Sequence, residues 1–176
     1  MQNFKKDIDI SVIAPGIQPE FEHPETRLVI VDVLRRQLPD LLICCYGNGW
    51  NVHPNNFPEV KEEALFDVIG RSRIGLDIQD VGSPFDTTMF EYLICGTPVI
   101  TRARPEVSKI FKPDKEILTY SDYVDLRCKL CFYLDDGYSD LCRIAENGFK
   151  RYLSSHTIKY CSGEILTLIN QLKGGE

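Results

Sequence analysis

Residues 80–101 read DVGSPFDTTMFEYLICGTPVIT. The stretch divides into a polar Gly/Pro/Ser loop, a short helical run and an apolar β-rich run, with one carboxylate, Glu91, near the start of the helix. A loop that feeds a helix N-terminus is a natural anion site, because unpaired backbone N–H groups and the positive end of the helix dipole point outward together. A carboxylate beside such a site can accept hydrogen bonds from sugar hydroxyls. Phosphate and ribose in one ligand describe a nucleotide.

The same alternation extends in both directions. Short apolar runs at about Ile8–Ala14, Leu41–Tyr46, Ile74–Ile78, Pro98–Thr101 and Glu116–Tyr120 predict strands. Each is nearly continuous rather than alternating, which marks strands covered on both faces, as in a parallel sheet. Between them, helical patterns fall at about Glu25–Leu38, Lys61–Gly70, Thr88–Cys95 and Glu106–Phe111. In the first, Leu28, Val31, Val33, Leu34 and Leu38 share one stripe. Strand and helix in turn predict a doubly wound α/β layer, a Rossmann-like parallel sheet with flanking helices. After Tyr120 the pattern becomes helical: Ser121 is the expected N-cap of a helix reaching Leu134, Asp135-Asp136-Gly137 breaks it, and helices follow at about Tyr138–Leu153 and Thr157–Leu172. With no repeat or linker, residues 1–176 read as a single domain with a C-terminal helical segment.

Composition narrows the partners. Net charge is −6, so a general nucleic-acid surface is not expected, and any phosphate is held locally. No apolar run approaches the ~20 residues of a membrane span. The N-terminal MQNFKKDIDISVIAPG lacks an apolar signal core, which points to the cytoplasm. Cys44 and Cys45 are adjacent on a strand and point to opposite faces, and Cys128, Cys131, Cys142 and Cys161 fall on helical patterns. All seven cysteines are expected as buried free thiols rather than metal ligands.

In open parallel sheets ligands bind at the carboxyl ends of the strands, near the point where strand order reverses. The loops on that edge are 15–24, 47–58, 79–87 and 102–105. Glu91 has two readings. Thr88-Met89-Phe90-Glu91 fits a capping box, in which Thr88 caps the helix and Glu91 reaches back to it; otherwise Glu91 binds ribose. Gly96 supplies the left-handed residue that ends the helix. The loop Gly47-Asn48-Gly49-Trp50 allows close backbone approach, with Trp50 either packed beneath it or open for stacking, and His53 is expected as a turn residue rather than a catalyst. Arg102 and Arg104 flank the end of a strand, where they can neutralise a diphosphate or simply pair at the surface, Glu106 being near. No GxSxG, Walker loop, HExxH or GxGxxG is present.

The run from Phe90 to Ile100, FEYLICGTPVI, resembles the donor-site signature of GT-B glycosyltransferases, close to FEALACGTPVI. Ser72–Ile78, Gly47–Trp50, Glu116–Tyr120 and Asn147-Gly148 also fit, so that the resemblance covers about Ile8 to Leu172. The branch most resembled is the "glycosyl transferases group 1" type related to spore-maturation proteins. The resemblance implies transfer of a sugar from a nucleotide-diphosphate sugar. Glu91 would bind the ribose, Gly47, Asn48, Gly49 and Trp50 would lie near the base, and Ser83, Thr87 and Thr88 would face the diphosphate, with Arg102 assisting. No metal or cofactor is implied, since helix dipoles and basic side chains offset the leaving-group charge. Two positions depart from the pattern: a second Glu eight residues before the first is Ser83 here, and an Arg three residues before it is Thr88. The resemblance reaches only the nucleotide-binding half of a GT-B enzyme. The acceptor half would come from a partner protein, as in the two-subunit GlcNAc transferase of the dolichol pathway, or the chain is an isolated domain; a homo-oligomer is a further expected partner. A non-catalytic nucleotide-sugar-binding or interaction module is the alternative.

Overall fold

Apolar runs that no polar face interrupts can be satisfied only between two layers, and the strands are covered in that way. The computed structural model describes residues 4–16, 26–79, 87–157, 159–163 and 166–167. Within them lie strands β1 (Ile8–Ile13), β2 (Ile43–Tyr46), β3 (Asn56–Phe57), β4 (Ser72–Asp77), β5 (Val99–Arg102) and β6 (Leu118–Tyr120). The helices are α1 (Thr26–Gln37), α2 (Glu62–Arg71), α3 (Thr88–Ile94), α4 (Pro105–Ile110), α5 (Tyr123–Leu134) and α6 (Tyr138–Ser155). The strands form one parallel sheet in the order β3-β2-β1-β4-β5-β6. Chain order runs outward from β1 to β3 and then restarts at β4 on the other side of β1. The reversal therefore lies between β1 and β4, where Ser11 stands opposite Cys44 on one side and Gly75 on the other.

Each face of the sheet has its own apolar layer. On one, Ile10 and Val12 of β1 pack with Val31 and Leu34 of α1 and with Leu126, Leu130 and Leu134 of α5. On the other, Met89, Tyr92 and Leu93 of α3 pack with Ile69 of α2, Val107 of α4 and Phe111. Helix α6 joins both: Leu141 and Ile144 enter the first layer, and Tyr152 lies against the second.

The expected strands and helices are present, most with ends moved by one or two residues. β3 was not anticipated. Two residues in a polar loop carry no periodicity; the strand exists because Phe57 stacks on Tyr46 at 5.0 Å and Arg35 Nη2 donates to Asn56 Oδ1 at 2.8 Å. The cap of α5 is Asp122 rather than Ser121: its carboxylate accepts from the Asp125 N–H at 2.9 Å, while Ser121 N–H donates to Asp125 Oδ2. Residues 159–163 and 166–167 are helical, and the end of that helix at Leu172 lies outside the described residues.

The thiols need correction. All seven are free, but Cys128, Cys131, Cys142 and Cys161 are exposed and Cys95 is half-buried, leaving Cys44 and Cys45 buried. On α5 the buried stripe is Leu126, Leu130 and Leu134, and Cys128 and Cys131 fall beside it. Burial pushes the Cys45 thiol up to about 12, so it is chemically quiet.

Candidate functional site

Helix α3 is placed by its inner face. Tyr92 is fully buried and its hydroxyl donates to the Ser11 carbonyl at 3.0 Å, with Ser11 Oγ at 3.2 Å. A Cβ on Gly75 would lie 2.3 Å from the Tyr92 ring, so β4 admits that ring by having no side chain there. The helix ends in a Schellman motif: Gly96 has φ 68°, its N–H bonds to the Leu93 carbonyl, and Thr97 N–H bonds to the Tyr92 carbonyl. The Gly96 expectation holds. At the other end Thr87 occupies the cap position without a side-chain cap hydrogen bond, and Thr88 is the first helical residue. The capping box expected with Thr88 as the cap is therefore corrected: the cap is Thr87, and the residue three positions on is Phe90, whose ring has no acceptor to reach back.

Thr88 and Glu91 face a cleft of about 450 Å³. Its other walls are the end of β1 (Ile13, Ala14, Pro15), the end of β2 (Tyr46, Gly47, Asn48) and the approach to α2 (Glu59, Val60, Lys61, Leu65). The cleft opens at the carboxyl ends of β1 and β2, beside the reversal of strand order. Gly47 has φ 145°, and a Cβ there would meet the Ala14 carbonyl oxygen at 2.3 Å, so this loop reaches β1 only as glycine. A second hollow of about 330 Å³ continues past Gly47 and Asn48 and is lined by Gly49, Trp50, His53 and Phe57 among others.

Trp50 is half-buried against the core, and its indole N–H donates to the Ala14 carbonyl at 2.9 Å, so one edge packs beneath the loop while the side chain still lines the hollow. His53 is a turn residue, its Nδ1 accepting from the Asn55 N–H at 3.1 Å. Arg102 ends β5 and does not line the cleft. Ser83 lies outside the described residues. Among those described, no group of three or more His, Cys, Asp or Glu is arranged to hold a metal ion, and no helix is long and apolar enough to cross a membrane.

Several residues on this edge carry no sequence signal. Glu59 and Lys61 line the cleft opposite Glu91; their ion pair at 3.5 Å is exposed and adds little stability. Arg27 is buried and donates from Nε to the Ile78 carbonyl at 2.7 Å and from Nη1 to the Pro15 carbonyl at 3.2 Å, clipping together the ends of β4 and β1. At the end of β4, Asp77 Oδ2 accepts from Gln79 Nε2 and Thr101 Oγ1, both at 2.7 Å, while Gln79 Oε1 accepts from Arg104 at 2.9 Å. Arg104 is thus tied into the sheet edge, which its place in the sequence did not reveal.

A doubly wound parallel sheet with a cleft beside its reversal, followed by helices that wrap back across the sheet, is a Rossmann-like half of the GT-B fold. A family model described as glycosyl transferase-like matches residues 27–167, and the chain belongs to that family. No curated protein matches the sequence. Among solved structures, HepE of Anabaena in complex with UDP-glucose is similar with a TM-score of 0.74 at 10% identity, over 93% of this chain and 49% of that one. Sucrose-phosphate synthase of Thermosynechococcus elongatus is similar with a TM-score of 0.70 at 17% identity, over 99% of this chain and 48% of that one. A GtfA/B complex gives 0.69 at 13% identity, over 97% and 38%. The chain therefore spans about half the length, or less, of the structures it matches.

Proposed function

We propose that this chain is the donor-binding half of a glycosyltransferase and takes a nucleotide-diphosphate sugar in the cleft between β1, β2 and α3. The observation that carries the reading is the meeting of Glu91 and Thr88 with Gly47 and Asn48 around one cleft at the strand-order reversal. HepE, similar in fold, is described with UDP-glucose bound, which supports the ligand class. In this reading the Glu91 carboxylate accepts from the ribose hydroxyls. The Gly47–Trp50 loop lies against the base, which extends toward the second hollow. Thr87, Thr88 and Ser83, with the backbone N–H groups at the start of α3, face the diphosphate.

Charge on the departing diphosphate is offset by those N–H donors, without a metal. Catalysis of transfer needs an acceptor and a group to activate it, which in this reading a second half provides, and a structure described as a GtfA/B complex is among those similar in fold. We place the reaction in the cytoplasm and the chain in the branch related to spore-maturation proteins.

The test is titration of the purified chain with UDP, GDP and ADP sugars, comparing wild type with Glu91→Gln. Loss of a charged acceptor costs about 1.5–3 kcal/mol, so affinity for the matching nucleotide falls roughly ten- to a hundred-fold while the melting temperature stays within about 2 °C. A chain that binds none of the nucleotides defeats the proposal. Equal affinity in the two proteins removes Glu91 from it.

A further inference from the structure

A second concavity lies on the flank of the molecule, between α6 and the segment that connects α4 to β6. Its volume is about 550 Å³, within the range of small-molecule sites. It shares no residue with the cleft at the carboxyl edge. Its lining is basic, with Lys112, Lys115, Lys150 and Arg151 against the single carboxylate of Glu116, in a chain whose net charge is −6.

The wall carrying Lys112 and Lys115 is rigid. The N–H groups of Lys115 and Glu116 both bond to the Lys112 carbonyl, Asp114 N–H bonds to the Ile117 carbonyl, and Asp114 takes the left-handed conformation at φ 57°. Asn147 Nδ2 of α6 donates to the Lys115 carbonyl at 3.1 Å. A Cβ on Gly148 would lie 2.2 Å from the Glu116 carbonyl oxygen, so α6 meets this wall backbone to backbone. On the other side Arg151 is fixed by its Nε on the Ile110 carbonyl and its Nη1 on Ser155 Oγ, both at 3.1 Å.

The nearby carboxylates leave much of this charge uncompensated. Lys150 is paired with Glu146 at 2.6 Å, and Asp114 is held by Lys129 at 3.3 Å. Glu116 uses Oε2 on the Lys112 backbone N–H and stands 4.0 Å from Lys112 Nζ. Among the described residues, Arg151 has no carboxylate partner and the Lys115 ammonium has no hydrogen-bond or ion-pair partner. A preformed hollow with one anchored guanidinium and unspent lysine charge around it suits a compact, strongly anionic group. Phosphate is that group, because it presents several acceptor oxygens to Lys and Arg at once.

We propose that this groove is a phosphate-binding site independent of the donor cleft, taking a phosphate carried by a soluble ester or by a lipid headgroup. The isotope-labelled full chain is titrated with inorganic pyrophosphate, and separately with vesicles of phosphatidylglycerol or phosphatidylcholine, while backbone resonances of residues 112–116 and 147–154 are followed. Saturable shifts there with pyrophosphate support the site and name a soluble phosphate as its ligand. Shifts with phosphatidylglycerol but not phosphatidylcholine support it and name a headgroup. Lys112→Ala and Lys115→Ala each lower affinity about five-fold, both surface changes that leave folding intact, and added salt weakens binding further. Glu91→Gln leaves these shifts unchanged, which separates this site from the donor cleft. No shifts in either segment, equal shifts with the two lipids and none with pyrophosphate, or unaltered affinity in the lysine variants overturns the proposal.

Discussion

Glu91 owes its position to its neighbour. Tyr92 is driven inward by burial and fastened through its hydroxyl to Ser11, and the turn of the helix then delivers Glu91 to the cleft. Tyr92→Phe keeps the ring and loses the hydroxyl, leaving the buried Ser11 groups short of a partner. A loss of about 1–2 kcal/mol in unfolding free energy is expected, read from the urea midpoint. Nucleotide affinity should fall less than in Glu91→Gln, because the carboxylate is displaced rather than replaced. At this scale the sequence showed residues whose chemistry or spacing is unusual: Glu91 beside a polar loop, Gly47 after an apolar run, Gly96 after a helix. It did not show Arg27, Gln79 or Lys61. Their importance lies in which carbonyls and side chains surround them, and those contacts come from segments up to 51 residues away.

The helices offer a case where two elements meet at a titratable group. His156 caps the C-terminal end of α6 and lies against Phe90 of α3 at 5.5 Å and Phe111 at 5.3 Å between ring centroids. Its Nε2 is buried without a hydrogen-bond partner. Burial, then the positive charge of Arg151, holds its pKa below the usual 6.5, against the opposing pull of Glu116 and a backbone contact at Ile110. The folded state thus resists the proton more than the unfolded chain does. Stability from this group is complete above 6.5, declines as pH falls from 6.5 toward the depressed value, and levels off below it. Replacing His156 by Phe should flatten that part of the stability–pH curve relative to wild type, as measured by thermal melts between pH 7.5 and 4.5. An unchanged slope would locate the pH dependence elsewhere. Strands were legible because continuous apolar runs demand cover on both sides. β3 was not, since two residues cannot establish a period, and the α5 cap slipped from Ser121 to Asp122 because both residue types cap well and only the backbone geometry chooses.

At the scale of the whole molecule, alternation of strand and helix announced a parallel α/β layer, whereas the spatial order β3-β2-β1-β4-β5-β6 depends on crossovers that no local pattern encodes. The cleft exists because of that order, which brings the ends of β1 and β2 beside the start of α3. Under the proposed function the isolated chain binds donor yet hydrolyses it no faster than buffer, and turnover appears on adding an acceptor-binding partner. Rapid donor hydrolysis by the chain alone would show that no second half is needed. The margins of the sheet bear on how such a partner attaches. β3 offers two residues and β6 three, so a strand laid along either border would find almost no ladder to extend. That brevity guards the protein against fibrillar self-association through its margins, and it directs any stable assembly toward side chains and loops rather than a continued sheet.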